Sequence, residues 1–257
     1  MTEFRGKFVW YELMTTDTAG AEAFYKSVVG WSAADAGMPG MAYTILSAGE
    51  HRVGGLMALP EAARQAGARP GWIGYIAVDD VDACAGRIAK AGGAIHHAPQ
   101  DIPQVGRFAV VADPQSAVFA LFTGLGEGPM TLPAAGTPGT VGWHELAAGE
   151  WQAAFAFYES LFGWTKAEPF DMGPMGIYQL FTTGDMPVGG MMTKPEAVPA
   201  PFWLYYFNVE AIDAAAARVT AGGGKILREP HEVPGGSWIV QGADPQGAIF
   251  ALVAPHR

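Results

Sequence analysis

Apolar and polar positions first alternate along this chain and then change period. From Phe8 to Met14, alternation puts Phe8, Trp10, Glu12 and Met14 on one face and Val9, Tyr11 and Leu13 on the other. A strand covered on both faces reads this way. Asp17 then stands where an N-cap belongs, and Ala21, Phe24, Tyr25 and Val28 recur at helical spacing before Gly30. Strand-like segments follow over Met41–Ser47, Arg52–Ala58 and Trp72–Val78. A second helix is predicted through Val81, Cys84, Ala85 and Ile88, stopped by Gly92-Gly93. Strands Arg107–Ala112 and Ala117–Phe122 close the pattern around Asp113-Pro114, a pair suited to open a type I turn.

The whole pattern then repeats after about 130 positions. Trp10-Tyr11-Glu12-Leu13 returns as Trp143-His144-Glu145-Leu146, Phe24-Tyr25 as Phe157-Tyr158, and Gly30-Trp31 as Gly163-Trp164. Further on, Gly54-Gly55-Leu56-Met57 matches Gly189-Gly190-Met191-Met192, Tyr75 matches Tyr206, and Asp113-Pro114-Gln115 matches Asp244-Pro245-Gln246. Gly247 completes the second turn; the first has Ser116, which that position tolerates less well. The stretch 124–139, GLGEGPMTLPAAGTPG, carries no periodicity and reads as a Gly/Pro-rich linker. The expected modules are 7–123 and 140–255. Each half reads as strand, helix, strands, twice over: an α+β chain of tandem βαβββ modules, with helices on the outer face of curved mixed sheets and a cup on the other.

Composition narrows the chemistry. Of 257 residues half are hydrophobic and 16% charged, and the net charge of −10 argues against a nucleic-acid surface, which needs clustered Lys and Arg. Cys84 is the one cysteine, so neither an intrachain disulfide nor a thiolate cluster forms, and a reducing compartment is the natural setting. Without a signal-peptide core in Met1–Lys7 or an apolar run long enough for a bilayer, the expected location is cytoplasmic. No P-loop, dinucleotide fingerprint or nucleophile elbow is present; Gly54-Gly55 and Gly189-Gly190 lie in strand context and read as points of close backbone approach.

The order W-x-E-L, F-Y, G-W, G-G and D-P-Q-x-A-x-F-A-L resembles the vicinal-oxygen-chelate (glyoxalase/bleomycin resistance/dioxygenase) superfamily, more narrowly its two-module bacterial members similar to the mycobacterial 27 kDa antigen. The resemblance implies that fold over nearly the whole chain; for function it is broad, because the fold hosts isomerases, dioxygenases, thiol transferases and drug-binding proteins. It also implies metal-ligand positions in metal-dependent members. Here they fall on Trp10 and Trp143, on Ile73 and Leu204, and on Ala120 and Ala251, none of which offers a lone pair to a divalent cation. The expectation is therefore that no family metal is bound. The histidines do not replace it: His96-His97 would point to opposite faces of a strand, His231-Glu232 reads as a Pro-flanked loop, and His51 and His256 as surface.

The candidate catalytic groups are Glu12 and Glu145, each sharing a strand face with a tryptophan. A carboxylate desolvated against indole can serve as acid or base near neutrality, or can simply tie the sheet together through hydrogen bonds. Candidate ligand contacts are Trp10, Trp143, Tyr75, Tyr206, Met57 and Met192, with Trp72, Trp203, Tyr205 and Met191 as further parts of an aromatic cup. The Tyr75 and Tyr206 hydroxyls are expected to meet either a ligand carbonyl or the glutamates. Loops Met38–Met41 and Met172–Met175 are candidate flaps.

The leading reading is a metal-independent binder of a small apolar or aromatic molecule. The alternatives are an isomerase, lyase or hydroxylase-like enzyme using a cup-facing glutamate as general base, and a metal-dependent glyoxalase-type lyase. The expected partner is a small-molecule ligand, with neither nucleic acid nor membrane, in a monomer or homodimer.

Overall fold

A computed structural model describes residues 2–38, 40–125 and 133–257. Of the expected linker, 126–132 lies outside the described residues, as does Pro39 of the first candidate flap. The first repeat runs β1 (Phe8–Thr15), α1 (Thr18–Val28), β2 (Ser32–Asp35), β3 (Tyr43–Ala48), β4 (His51–Ala58), a short α2 (Glu61–Gln65), β5 (Gly71–Ala77), α3 (Val81–Lys90), β6 (Ala94–Ile102), β7 (Gly106–Ala112) and β8 (Val118–Gly124). The second runs β9 (Val141–Ala148), α4 (Trp151–Phe162), β10 (Thr165–Asp171), β11 (Ile177–Thr182), β12 (Pro187–Thr193), β13 (Phe202–Asn208), α5 (Ile212–Ala221), β14 (Lys225–Glu232), β15 (Trp238–Ala243) and β16 (Ile249–Ala254).

Two eight-stranded mixed sheets result, ordered β2-β3-β4-β1-β5-β8-β7-β6 and β10-β11-β12-β9-β13-β16-β15-β14. Within them β1/β4, β5/β8, β9/β12 and β13/β16 pair in parallel. The edge strands β2, β6, β10 and β14 carry too little alternation to announce themselves; β6 is exposed along nearly its whole length. His231 lies on β14 rather than in a loop, its Nδ1 2.8 Å from the Glu229 carbonyl oxygen. No described helix is long and apolar enough to cross a membrane.

The compact units each take half of either repeat. One comprises Met1–Val9, Gly74–Leu132 and His144–Trp203, the other Trp10–Ile73, Pro133–Trp143 and Leu204–Arg257. A buried polar tie recurs inside each. In the second, Trp72 Nε1 donates to the Tyr25 hydroxyl (2.9 Å), which donates to Asp244 Oδ2 (3.2 Å). In the first, Trp203 donates to Tyr158 (3.0 Å) and Tyr158 to Asp113 (3.1 Å). Each aspartate also accepts two turn amides, those of Gln115 and Ala117 or of Gln246 and Ala248. Burial raises both aspartate pKa values above the usual carboxylate value despite these donors, and raises that of Tyr25 as well. The Asp-Pro pair therefore opens a turn and anchors the tyrosine of a helix from the other repeat.

This tie corrects part of the expected cup. Trp72 and Trp203 are 8% and 5% exposed and lie on the helix-covered side of the sheet, in the aromatic packing around Tyr25 and Tyr158. Tyr205 stacks edge-on to Tyr11, also on that side, and Met191 is fully buried. The reason is the period of two: residues adjacent in a strand cannot share a face.

Candidate functional site

The face opposite the helices carries the glutamates. On β1, Glu12 is 7% exposed and directly opposite Gly55 of β4. Trp10 Nε1 donates to the Tyr43 hydroxyl at 2.9 Å, and that hydroxyl donates to Glu12 Oε2 at 2.9 Å. Because an indole N–H can only donate, the phenol proton is committed to the carboxylate and the direction of the chain is fixed. Burial and the neighbouring Glu12 charge push the Tyr43 pKa far above its ordinary value, so the phenol stays protonated. Met57 lies beside Tyr43 in register, and Met14 beside Met57.

The glycine pair makes this geometry possible. A Cβ on Gly55 would lie 1.8 Å from the Tyr43 oxygen, so the ring occupies the space a side chain would fill. Gly54 faces the other way, where a Cβ would come within 2.5 Å of the Tyr11 carbonyl oxygen. The close approach expected at this pair is therefore of two kinds, a ring over one glycine and backbone against its neighbour.

The second repeat builds the same unit on β9, β11 and β12. The Tyr178 hydroxyl donates to Glu145 Oε2 at 3.0 Å, Glu145 is opposite Gly190, and a Cβ on Gly190 would fall 2.1 Å from the Tyr178 ring. Here the carboxylate is only half-buried. Its strand neighbour His144 faces the other side, stacked on Phe8 at 4.3 Å, with Nδ1 2.7 Å from the Val188 carbonyl oxygen. Burial lowers its pKa to about 4.

Among the expected contacts, Trp10, Glu12 and Met57 come together on one face, and Glu145 and Met192 on its counterpart. Trp143 is half-buried on the same strand face as Glu145. Tyr75 and Tyr206 sit on β5 and β13, 5% and 2% exposed, opposite Ala120 and Ala251. The Tyr206 hydroxyl accepts from Gln241 Nε2 at 2.9 Å, whereas Tyr75 lies near Phe108, on which His97 stacks. Tyr43 and Tyr178, which hold the glutamates, were missed by the sequence reading. Their signal was present: each precedes its glycine pair by the same interval in both repeats.

The residues at the metal positions implied by the resemblance do not fit a divalent cation. Trp10 spends its only polar hydrogen on Tyr43, Ile73 and Leu204 are aliphatic, and Ala120 and Ala251 are fully buried methyl groups. Among the described residues no three His, Cys, Asp or Glu converge as a ligand set. A cavity of about 480 Å³ lies elsewhere, between the C-terminal end of α1 and the start of α5, with Arg218 in its wall.

Comparison with known proteins agrees with the architecture. The family model described as Glyoxalase/Bleomycin resistance protein/Dioxygenase superfamily matches the chain twice, over residues 7–121 and 140–252. CFP32 of Mycobacterium tuberculosis, provisionally named a glyoxylase, is 34% identical over 248 residues, covering 96% of this chain and 94% of its own. DnrV of Streptomyces peucetius, named an anthracycline biosynthesis protein, is 34% identical over 270 residues, covering 98% of this chain and 95% of its own. Among solved structures, a Mn(II)-bound glyoxalase from Novosphingobium aromaticivorans gives a TM-score of 0.68 at 17% identity, covering 98% of this chain and 82% of its own. Homoprotocatechuate 2,3-dioxygenase from Brevibacterium fuscum gives 0.68 at 14%, covering 98% and 80%. At these identities the structural likeness is one of fold alone.

Proposed function

Since the chain belongs to the glyoxalase/bleomycin resistance protein/dioxygenase superfamily, we propose that it binds a small apolar or aromatic molecule on its carboxylate-bearing sheet faces without the family metal. The observation that carries this reading is the pair of tyrosine–glutamate couples, set where tryptophan and aliphatic side chains stand at the implied cation positions. Tyr43, Trp10 and Met57 supply apolar wall, and Glu12 supplies an acceptor for a ligand hydroxyl or N–H; Tyr178, Met192 and Glu145 do the same in the second repeat. DnrV, whose name associates it with anthracyclines, supports a fused-ring aromatic as the ligand class.

A second reading keeps the same residues and makes a glutamate a general base toward a bound ligand, with Tyr75 or Tyr206 as electrophile. It draws on the burial of Glu12 beside Trp10. A metal-dependent glyoxalase-type reaction finds no support in the donor set. We place the protein in a reducing cytoplasm, acting as monomer or homodimer; buried Cys84, its thiol pushed up to about 11, suits a structural rather than redox role.

The test is a thermal-shift and calorimetric screen of planar phenols, quinones and aliphatic metabolites, with metal content measured on the same preparation. Stabilisation by aromatic compounds, unchanged by EDTA, is expected. Absence of stabilisation by every aromatic compound, or binding that requires a stoichiometric divalent metal, sinks the reading. Turnover of a bound compound that disappears in Glu12→Gln or Glu145→Gln would favour the general-base reading.

A further inference from the structure

Each compact unit has a cavity at the same place, between the end of α4 and the start of α3 in the first unit and between α1 and α5 in the second. The first is about 130 Å³, walled by Arg5, Val78, Asp79, Arg87 and Leu161 among others. The second is about 480 Å³, and its wall includes Val29, Pro138, Val209, Glu210, Ala214 and Arg218. Small-molecule sites run from roughly 300 to 1,000 Å³, so the second cavity has the room of one and the first does not.

The frame around the two cavities is the same. Trp164 Nε1 donates to the Gly6 carbonyl at 2.7 Å and Trp31 Nε1 to the Gly139 carbonyl at 2.6 Å, which holds the preceding residue, Arg5 or Pro138, in the cavity wall. Arg87 Nη2 donates to the Ser160 carbonyl at 2.6 Å, and Arg218 donates through Nε and Nη2 to the Val28 carbonyl at 3.3 and 2.9 Å. Each arginine thus caps the carbonyl end of the helix facing it. What differs is the occupant. In the first unit Arg5 Nε lies 3.6 Å from Asp79 Oδ2. In the second, Glu210 keeps the carboxylate while Pro138 brings no cation to it, and Glu210 forms no ion pair among the described residues. Asp80, which accepts from the Ala83 amide at 2.9 Å, is likewise replaced in the second wall by Ala211.

We propose that the second unit's cavity binds a small organic cation, a guanidinium or primary ammonium on a short apolar stem, whose head pairs with Glu210 as Arg5 pairs with Asp79. The stem lies against Val29, Val209 and Pro138. Arg218 does not oppose this, because its guanidinium is engaged by the Val28 carbonyl, and Arg87 already shares the first cavity's wall with Arg5. A net charge of −10 draws cations toward the chain. The Arg5–Asp79 pair is about half-exposed and Glu210 is exposed, so the head group adds little and affinity is low. The site lies off the sheet faces, and the inference is independent of what those faces bind.

The probe is n-butylguanidinium, with uncharged n-butylurea as its isosteric control, each titrated into the isotope-labelled full-length chain and followed by amide shifts in NMR. Shifts are expected at Gly49, Gly139, Ala211 and Ala214, which line the cavity. The cation should bind about two- to fivefold more tightly than the urea, the value of one exposed ion pair, and added salt should erase the difference. Glu210→Gln should remove the preference and leave the urea's affinity unchanged. Pro138→Arg, which supplies the cation that the first unit carries in its own chain, should abolish the shifts. Ala214→Leu, which fills the cavity from an exposed helix position, should abolish them too and covers the case in which the proline variant misfolds. Absence of binding, equal binding of the two probes, a preference that survives Glu210→Gln, or shifts centred on Glu12 and Glu145 overturns the assignment. None of these results touches the aromatic reading, which the screen of phenols and quinones decides.

Discussion

Replacing Gly55 by alanine tests the central geometry with one methyl group. The new Cβ would lie 1.8 Å from the Tyr43 oxygen and 2.2 Å from the ring carbon that bears it, so the ring must leave. Its departure breaks the bond to Glu12, worth about 1.5–3 kcal/mol because the acceptor is charged, and the bond from Trp10, worth about 1 kcal/mol. Alanine returns about 0.4–1 kcal/mol by restricting the unfolded chain. A net loss of roughly 2–3 kcal/mol follows, or a fall in Tm of about 5–10 °C for a chain of this size.

Urea titration and calorimetry measure it, and a double-variant cycle assigns it. Once Tyr43→Ala has removed the ring, adding Gly55→Ala should cost nothing further, giving a coupling energy of about 2 kcal/mol. If Gly55→Ala alone stays within about 0.5 kcal/mol of wild type, or if the two changes simply add, Tyr43 is not held over that glycine and the account of the site fails.

Three further outcomes are expected. Gly86→Ala, inside α3 with nothing within 4 Å of its added Cβ, should raise stability by about 0.5–1 kcal/mol, the reverse of the Gly55 result, and the same urea titration reads it. Ser116 holds φ 77° where the second repeat has Gly247 at φ 93°, so Ser116→Gly should stabilise by about 0.5–1 kcal/mol and Gly247→Ser should destabilise comparably; equal Tm values for all three chains would contradict this. His144 has its folded pKa depressed to about 4 from an ordinary 6.5, so its contribution is fully present above pH 6.5 and is lost as pH falls through 4. That amounts to about 3 kcal/mol, and His144→Phe should flatten the stability profile between pH 6.5 and 4 at the cost of the Val188 contact.

Much of the fold was legible because duplication and periodicity agreed. The β1 and β9 alternation, the stripes of α1 and α4, and the turns after Ala112 and Ala243 are local patterns, and the second copy confirmed each reading of the first. The edge strands were not legible: β6 and β14 bury so little that no alternation is imposed on them. The roles of Tyr25 and Asp244 were hidden for another reason. Both look complete locally, one as a helix core residue and the other as a turn former, and only contact across 219 positions reveals the hydrogen bond between them. A pattern read along one segment cannot report a partner supplied by another.

The glutamates were found from sequence and their partners were not, and the physics explains the asymmetry. A carboxylate on an otherwise apolar strand face stands out because burying an unpaired charge is costly. A tyrosine two strands away in the same sheet does not, since tyrosine is at home in any half-buried sheet. What identifies Tyr43 is the vacancy diagonal to it on β4. A glycine weakens a strand and persists where something else needs the room, so Gly55 implies an occupant, and its register against both Glu12 and Ile45 confines that occupant to the neighbourhood of the carboxylate. The repeat doubles the inference, because Gly190 is opposite Glu145 and under Tyr178. The carboxylate, the glycine and the aromatic ring thus form one unit that both repeats retain.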